Sequence, residues 1–407
     1  MKQARPFPAI AVTPKGERWV RSPHPWVYAS DVASVPDGLE NGCLADVVSE
    51  KGTYLGTGFY SRLSKIAVRV LSSNANDRYD EAFFARRIRY ALDYRATVME
   101  GDLSCCRLVF GEADSLPGLT ADRYAGVLVT QVLSYGMERI KPMLYGLITA
   151  ELAARSEAVC GIYERNDVAL RGLEGLSQQK GWYDGLPHGD ETTARISENG
   201  VVYDVDFENG QKTGFFLDQK FNRRAVMRIS RGKTVLDCFT HTGSFALNAA
   251  LGGASRVTAA DVSETALEAA RANARLNGLE DKIDFVRADV FDLLAELAES
   301  KKNPYDLIVL DPPAFTKSRK TVSGAERGYR QINARAMKLL PRGGYLATCS
   351  CSHFMGSERF EDMLGKAARD AGVQLRQVEA LRQAGDHPIL WNVPETDYLK
   401  FYIFQVI

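Results

Sequence analysis

The residues best equipped for chemistry in this chain stand at Thr348-Cys-Ser-Cys-Ser-His353, where an apolar run ends. Alternate residues of a strand share a face, so Cys349 and Cys351 point the same way, with Cys351 nearer the end. A thiolate there can add to an electron-poor ring carbon. Such addition suits methylation of cytosine at carbon 5, a poor nucleophile until sulfur bonded to carbon 6 makes it enamine-like. A second cluster, Asp311-Pro-Pro-Ala-Phe315, also follows an apolar run. Its paired prolines fix a rigid extended turn. That turn holds Asp311 where it can hydrogen-bond a base and assist protonation of a ring nitrogen, and Phe315 where it can stack on a flipped base. The same residue types have plainer uses, since a cysteine in a strand also serves as a small buried hydrophobe.

The stretch Val235-Leu-Asp-Cys-Phe-Thr-His-Thr-Gly-Ser-Phe245 reads as a strand, a turn and a helix start. Gly243 allows a ligand close to the backbone, and the helix N-terminus presents unpaired N–H groups. The stretch has a single glycine and an acid, Asp237, at the strand end. It therefore lacks the G-x-G-x-x-G dinucleotide fingerprint and suits a cationic, phosphate-free ligand better than a pyrophosphate. The loop side chains Phe239, Thr240, Thr242, Ser244 and Phe245 belong with it. Asp261 ends the next strand and can accept both hydroxyls of a ribose, with Val262 and Ser263 following. Asp289 ends the third strand, next to Val290, within reach of an adenine amino group. Any one of these acids also serves as a helix cap; three in succession on one predicted edge point to a nucleoside. Lys212-Thr-Gly-Phe-Phe-Leu-Asp-Gln219 precedes this block and offers Lys212 and Gln219 as cover for a cofactor or base. Asp386-His387-Pro388 offers a base or a phosphate contact, or a structural histidine, whereas His241 and His353 acquire no definite role.

These residues need a frame. From about residue 231, buried strands alternate with amphipathic helices, the clearest over 264–277, which predicts a parallel, doubly wound α/β sheet with ligands at the carboxyl ends of the strands. Before it, short β-like runs at 43–48, 55–60 and 66–71 predict a small barrel over residues 1–72. Residues 73–190 mix helical and strand patterns into a central α+β domain, and 191–407 form the catalytic block, opening on a hairpin-like segment over 200–210.

With 407 residues, 45% hydrophobic and 25% charged, the chain has room for two or three soluble domains. Its apolar runs are strand-sized, and the N-terminus lacks the apolar core of a secretory signal, so a cytoplasmic protein with no membrane partner is expected. Seven cysteines at irregular spacings argue for reduced thiols, and none of the spacings suits zinc, so no metal is expected. Formal net charge is zero; a nucleic-acid partner would need its basic residues gathered in space, and along the chain those from Lys2 to Arg69 outnumber the acids of that segment, which an evenly solvated surface also accommodates.

Taken together, these motifs resemble the bacterial PUA-domain ribosomal RNA methyltransferases, of the large-subunit cytosine-C5 type, over nearly the whole chain. His24-Pro-Trp-Val27 resembles the family's PUA-like opening, and Gly111–Arg123 and Tyr163–Val168 its central domain. Lys212-Thr-Gly214, Leu217-Asp-Gln219, Asp311-Pro-Pro313, Ser350-Cys-Ser352 and Asp386-His-Pro388 resemble motifs in or beside its catalytic domain. The resemblance implies a Rossmann-like class I methyltransferase domain using S-adenosyl-L-methionine and an RNA substrate, most naturally 23S ribosomal RNA. It also implies Cys351 rather than Cys349 as nucleophile, and a homodimer is among the assemblies it allows. One departure concerns release: other cytosine-C5 RNA enzymes carry a second cysteine directly after the paired prolines, where this chain has Ala314. Cys349 and an ordered water are the alternatives for that step. Relatives include guanine-N7 methyltransferases, which need no cysteine, and a non-catalytic RNA-binding assembly factor is a further alternative.

Overall fold

The computed structural model describes residues 5–300, 304–316 and 318–407. The chain forms two compact units, one of residues 1–196, 205–217 and 385–396, the other of residues 197–204, 218–384 and 397–407.

The first unit opens with β1 (Ala9–Val12), α1 (Pro14–Arg21), β2 (Trp26–Tyr28), β3 (Val32–Ser34), β4 (Leu44–Ser49), β5 (Tyr54–Tyr60) and β6 (Ile66–Ser72). They build a six-stranded mixed sheet in the order β2-β6-β5-β4-β1-β3. Ile10, Val12, Val27, Ala45, Val47 and Val68 fill its core together with Val20 of α1. The β5–β6 approach depends on Gly58, where a Cβ would meet the Arg69 carbonyl oxygen at 2.0 Å. Next come α2 (Glu81–Val98), β7 (Cys105–Phe110), β8 (Leu119–Tyr124), β9 (Val127–Val132), α3 (Tyr135–Ala153), β10 (Gly161–Asn166) and β11 (Gln179–Trp182). Their five strands form a second sheet, β11-β10-β9-β8-β7. The hairpin of β12 (Thr193–Glu198) and β13 (Val201–Asp206) then carries the chain between the units. Its turn falls at Asn199-Gly200, both at positive φ. The 200–210 segment is therefore the returning strand, ended by Asp206, whose carboxylate accepts the N–H groups of Glu208 and Asn209.

The second unit contains α4 (Lys220–Ile229), β14 (Thr234–Cys238), α5 (Ser244–Leu251), β15 (Arg256–Asp261), α6 (Glu264–Leu276), β16 (Ile283–Arg287), α7 (Val290–Glu299), β17 (Leu307–Leu310), α8 (Val322–Leu339), β18 (Tyr345–Ser350), α9 (Ser357–Ala371), β19 (Leu375–Leu381) and β20 (Lys400–Val406). The sheet order is β16-β15-β14-β17-β18-β20-β19. Strands β14 to β18 are parallel, as the alternation of strands and helices requires. The expected all-parallel sheet needs one correction: β20 enters antiparallel between β18 and β19. A strand that arrives directly from the β19 side without a crossover helix can pair antiparallel. Leu236, Ile308, Leu310 and Leu346 of the sheet pack against Tyr329, Ile332 and Met337 of α8 and Phe360 and Met363 of α9.

Glu198 and Arg223 pair inside this unit through two hydrogen bonds of 2.6 and 2.8 Å, both side chains almost wholly buried. The pair anchors α4, which leads directly from Gln219 into the unit. Removing one partner leaves a buried, uncompensated charge. Arg223→Met should therefore lower the unfolding free energy by about 3–5 kcal/mol in urea titration, and Glu198→Leu added to it should recover most of that loss. Equal stability of wild type and Arg223→Met would show that the pair contributes nothing.

Candidate active site

Lateral pairing places Cys238 beside Ala260 of β15 and Leu310 of β17. The residues that follow these strands therefore open on one edge. Asp237 is fully buried there; its Oδ2 accepts the Thr240 hydroxyl at 2.5 Å and the Ala246 N–H at 2.9 Å, which closes the turn into α5. Its Oδ1 is buried with no hydrogen-bond partner. Burial pushes the Asp237 carboxyl up to about 7, the Asp311 and Asp261 charges adding to this while the Thr240 and Ala246 hydrogen bonds oppose it. Asp261 accepts the His241 N–H on Oδ2 and the Ser263 N–H on Oδ1, both at 2.9 Å. Burial holds the His241 imidazole below its usual range.

The turn itself is tense. Phe239 and His241 take φ of 62° and 50°, left-handed values that cost a non-glycine residue free energy and recur at ligand sites. Gly243 follows at φ 81°, and a Cβ there would lie 3.0 Å from the Ala270 Cβ. Asn273 of α6 donates to the Thr242 carbonyl at 3.2 Å and holds the far side of the turn.

Asp311 is tied to the end of β18. Cys349 donates its S–H to Asp311 Oδ1 at 2.8 Å, and Gln219 Nε2 donates to the same oxygen at 3.1 Å. Asn222 in turn donates to Gln219 Oε1 at 2.6 Å. Burial and the Asp311 charge drive the Cys349 thiol well above its usual range, so it stays protonated. Cys351, two residues on, is half-buried. Its flanking serines are fixed from α8, Ser350 donating to the Tyr329 hydroxyl at 3.0 Å and Ser352 bonding it at 3.1 Å. From β20, the buried Lys400 donates to the Ser352 carbonyl at 2.8 Å. Neither Tyr329 nor Lys400 stood out in the sequence. The available signal for Lys400 was a single charge heading the apolar strand Lys400-Phe-Tyr-Ile-Phe404.

The remaining anticipated residues divide. Ser244 and Thr242 stay half-buried on the turn, whereas Phe245 is buried with its ring stacked on Phe401. Val290 is likewise in the core, so Phe245 and Val290 offer a ligand only their backbone. Val262 is 64% exposed, and Ser263 caps α6 through the Ala266 N–H. Asp289 caps α7 through the Phe291 N–H at 2.7 Å. Phe315 packs at 4.6 Å on Tyr329 and 5.9 Å on Phe291. Lys212, Asp386 and His387 belong to the other unit. There Asp386 is fully buried, accepting the Arg107 N–H on Oδ2 and bonding His387 Nδ1 on Oδ1, both at 2.8 Å. Lys212 is exposed, its ammonium over the Phe216 ring.

The sequence matches a family of S-adenosylmethionine-dependent methyltransferases over residues 108–404 and a PUA-like domain over residues 10–73. The chain belongs to that methyltransferase family. It is 39% identical to a Klebsiella pneumoniae "ribosomal RNA large subunit methyltransferase I" over 98% of this chain and 99% of that one. Its identity to the protein of that name from Pseudoalteromonas translucida is 42%, over 96% and 97% of the two chains. Among solved structures, a SAM-dependent methyltransferase from Streptococcus mutans superposes with a TM-score of 0.79 at 21% identity, covering 98% of this chain and all of that one. A methyltransferase complexed with SAH reaches 0.81 at 22% identity, with the same coverage. Both likenesses concern the fold.

S-adenosylmethionine is thus the methyl donor of this methyltransferase, and the strand edge suits it. The buried, unpartnered Asp237 Oδ1 is an acceptor for a cationic ligand, and Gly243 leaves the turn without a side chain where a Cβ would crowd α6.

The Asp237 carboxyl has its folded value raised above its unfolded one, so the folded state binds that proton more tightly. The stability it contributes is complete below about pH 4 and is lost as pH rises through about 7. Asp237→Asn removes this titration. In urea unfolding, the stability of the variant relative to wild type should climb between pH 4 and 7 and level off above; a difference independent of pH would contradict the buried acid.

Proposed function

We propose that this methyltransferase forms 5-methylcytosine in 23S ribosomal RNA through a thioether at carbon 6. The observation that carries the reading is the division of labour between two cysteines on one strand end. Cys349 is committed as a donor to Asp311, and Cys351 stands half-buried beyond it. The large-subunit ribosomal RNA methyltransferases that share about 40% of its sequence support the RNA class.

In this reading the turn Phe239–Phe245 and the side chains of Asp237, Asp261 and Asp289 hold the methyl donor, Asp261 toward the ribose hydroxyls and Asp289 toward the adenine amino group. The donor supplies an electrophilic methyl group on a sulfonium sulfur. Phe315 stacks on the flipped cytosine, which the Asp311 carboxyl meets at its ring nitrogen. The Cys351 thiolate forms the sulfur–carbon 6 bond, and the carbon 5–carbon 6 pair becomes available at carbon 5 as the ring nitrogen takes a proton from the Asp311 carboxyl, which recovers it once carbon 5 is methylated. After methylation, carbon 5 gives up its proton to a base. The sulfur–carbon 6 bond then breaks, its electrons return to sulfur, and the ring double bond is restored. Cys349 is a positioning residue in this scheme: as a hydrogen-bond donor with a raised thiol it orients Asp311 and leaves carbon-5 deprotonation to water or another group. The basic residues of the PUA-like domain supply RNA affinity, which weakens with salt.

Methyl transfer to unmodified 23S RNA, read by nucleoside analysis, tests this. Wild type should yield 5-methylcytosine and Cys351→Ala none. Cys349→Ala should retain the product at a rate roughly 10- to 100-fold lower, the cost of leaving a buried carboxylate oxygen short of a donor. RNA carrying 5-fluorocytosine, which has no carbon-5 proton to lose, should give a denaturation-resistant complex with wild type and not with Cys351→Ala. A 7-methylguanosine product, or full activity in Cys351→Ala, would overturn the cytosine assignment.

A further inference from the structure

A cavity of about 290 Å³ opens in the PUA-like domain, lined by Lys15, Arg18 and Trp19 of α1, by Tyr28 of β2 and by Asp31. That volume stands near the lower end of small-ligand sites. Residues three and four apart share a helix face, so Lys15, Arg18 and Trp19 stand together on α1. Gly16 lets this helix lie directly on the turn after β2, since a Cβ there would meet the Asp31 carbonyl oxygen at 2.7 Å and the Asp31 Cβ at 3.1 Å. The Thr13 N–H, at the start of the helix, donates to the same carbonyl at 2.9 Å. Asp31 is thereby held beneath α1 as a buried residue, and its Oδ1 accepts from Lys15 Nζ at 2.8 Å. Its Oδ2 accepts no hydrogen bond among the described residues. The Trp19 ring is set by His24 at 4.6 Å and Tyr28 at 6.4 Å, yet it remains 38% exposed. The other acids nearby are engaged, Glu17 with Arg21 and Glu395 with His24. The Arg18 guanidinium is exposed and makes no ion pair or hydrogen bond among the described residues.

Two rings, a carboxylate beneath them and a cation at the rim are the groups that hold one unpaired nucleotide. A base stacks on the rings, its phosphate meets Arg18, and its N–H edge donates to the carboxylate. Guanine suits such an acid best, because its ring N1–H and its amino group lie side by side and both donate, while both carboxylate oxygens accept. We propose that this cavity is a docking pocket for an unpaired guanine of the RNA substrate, with Trp19 and Tyr28 as the stacking surface, Asp31 as the reader of the base and Arg18 as the phosphate contact. The proposal rests on the reading of RNA as the substrate and deepens it. The PUA-like domain then recognises a nucleotide other than the methylated one, besides attracting the backbone. Uracil presents a single N–H between two carbonyl oxygens, which a carboxylate repels, so it is the base that the pocket rejects.

The test measures binding of fluorescein-labelled ribonucleotides UUGUU and UUUUU to the full chain by fluorescence anisotropy, without S-adenosylmethionine. Wild type should bind UUGUU roughly 10-fold more tightly than UUUUU. Trp19→Ala, a change at an exposed ring, should weaken UUGUU binding roughly 10-fold. Arg18→Ala should weaken both ligands about equally and flatten their dependence on salt. Asp31→Asn should bring UUGUU down to the affinity of UUUUU. Should Asp31→Asn shift the unfolding transition in urea, the wild-type preference and Trp19→Ala decide. Equal wild-type affinity for the two ligands, or UUGUU binding untouched by Trp19→Ala, would overturn the proposal. A dimer in sedimentation velocity that Trp19→Ala dissociates would give the cavity to a second copy of the chain and overturn it as well. Methyl transfer to 23S RNA is scored separately, so the two readings fail apart. A guanine preference lost in Trp19→Ala, in an enzyme that forms no 5-methylcytosine, would sink the cytosine reading alone. An active enzyme without that preference would sink the guanine pocket alone.

Discussion

The lateral hydrogen bonding of β14, between β15 on one side and β17 on the other, is the constraint from which the site follows. Parallel strands held in that register end together, so the residues that leave them emerge on a common edge. Asp237, Asp261 and Asp311 are far apart in the chain and become electrostatic neighbours only through this pairing, as the raised Asp237 carboxyl records. One carboxylate at a strand end is a cap or a contact. Several brought to one edge, one with a buried oxygen lacking a partner, form a region that favours a cation.

Keeping such acids together requires donors, and the structure supplies them from elements that only the fold makes adjacent. Asp261 finds its donors locally, in the backbone N–H groups of His241 and Ser263. Asp311 depends on Gln219 at the entry to α4 and Cys349 at the end of β18. The strained φ values at Phe239 and His241 belong to the same arrangement, because the turn must bring its N–H groups round to meet these acids. Packing on α8 then holds the other wall, with Phe315, Tyr329 and the serines flanking Cys351 in one contiguous cluster.

The two cysteines show how identical side chains two residues apart acquire different chemistry. Cys349 is enclosed, hydrogen-bonded to a carboxylate and held protonated. Cys351 lies one step past the strand, between two serines whose hydroxyls bond Tyr329, with the Ser352 carbonyl accepting from Lys400. A thiol's reactivity depends on whether its neighbours favour the anion, and those neighbours differ although the residue type does not.

Much of this was legible in the linear sequence. Strand and helix periodicity places β14 to β18 and their helices, because buried parallel strands are continuous apolar runs and surface helices are amphipathic. The acids at the strand ends, Gly243, the paired prolines and the Ser-Cys-Ser segment are likewise visible, since each is a local pattern with a local cause. The antiparallel entry of β20 was not, and with it Lys400, because a strand's partner is chosen by long-range pairing that leaves no mark on its own residues. For the same reason the residues flanking Cys351 gave no hint of Tyr329, and Asp386-His387 looked like chemistry until burial and the Arg107 N–H showed how its groups are engaged. The sequence by itself determined which elements form and which residues stand at their ends, as these depend on neighbours along the chain. Tertiary structure alone decided which of those ends meet and which thiol is enclosed against a carboxylate, because charge and burial depend on distance through space.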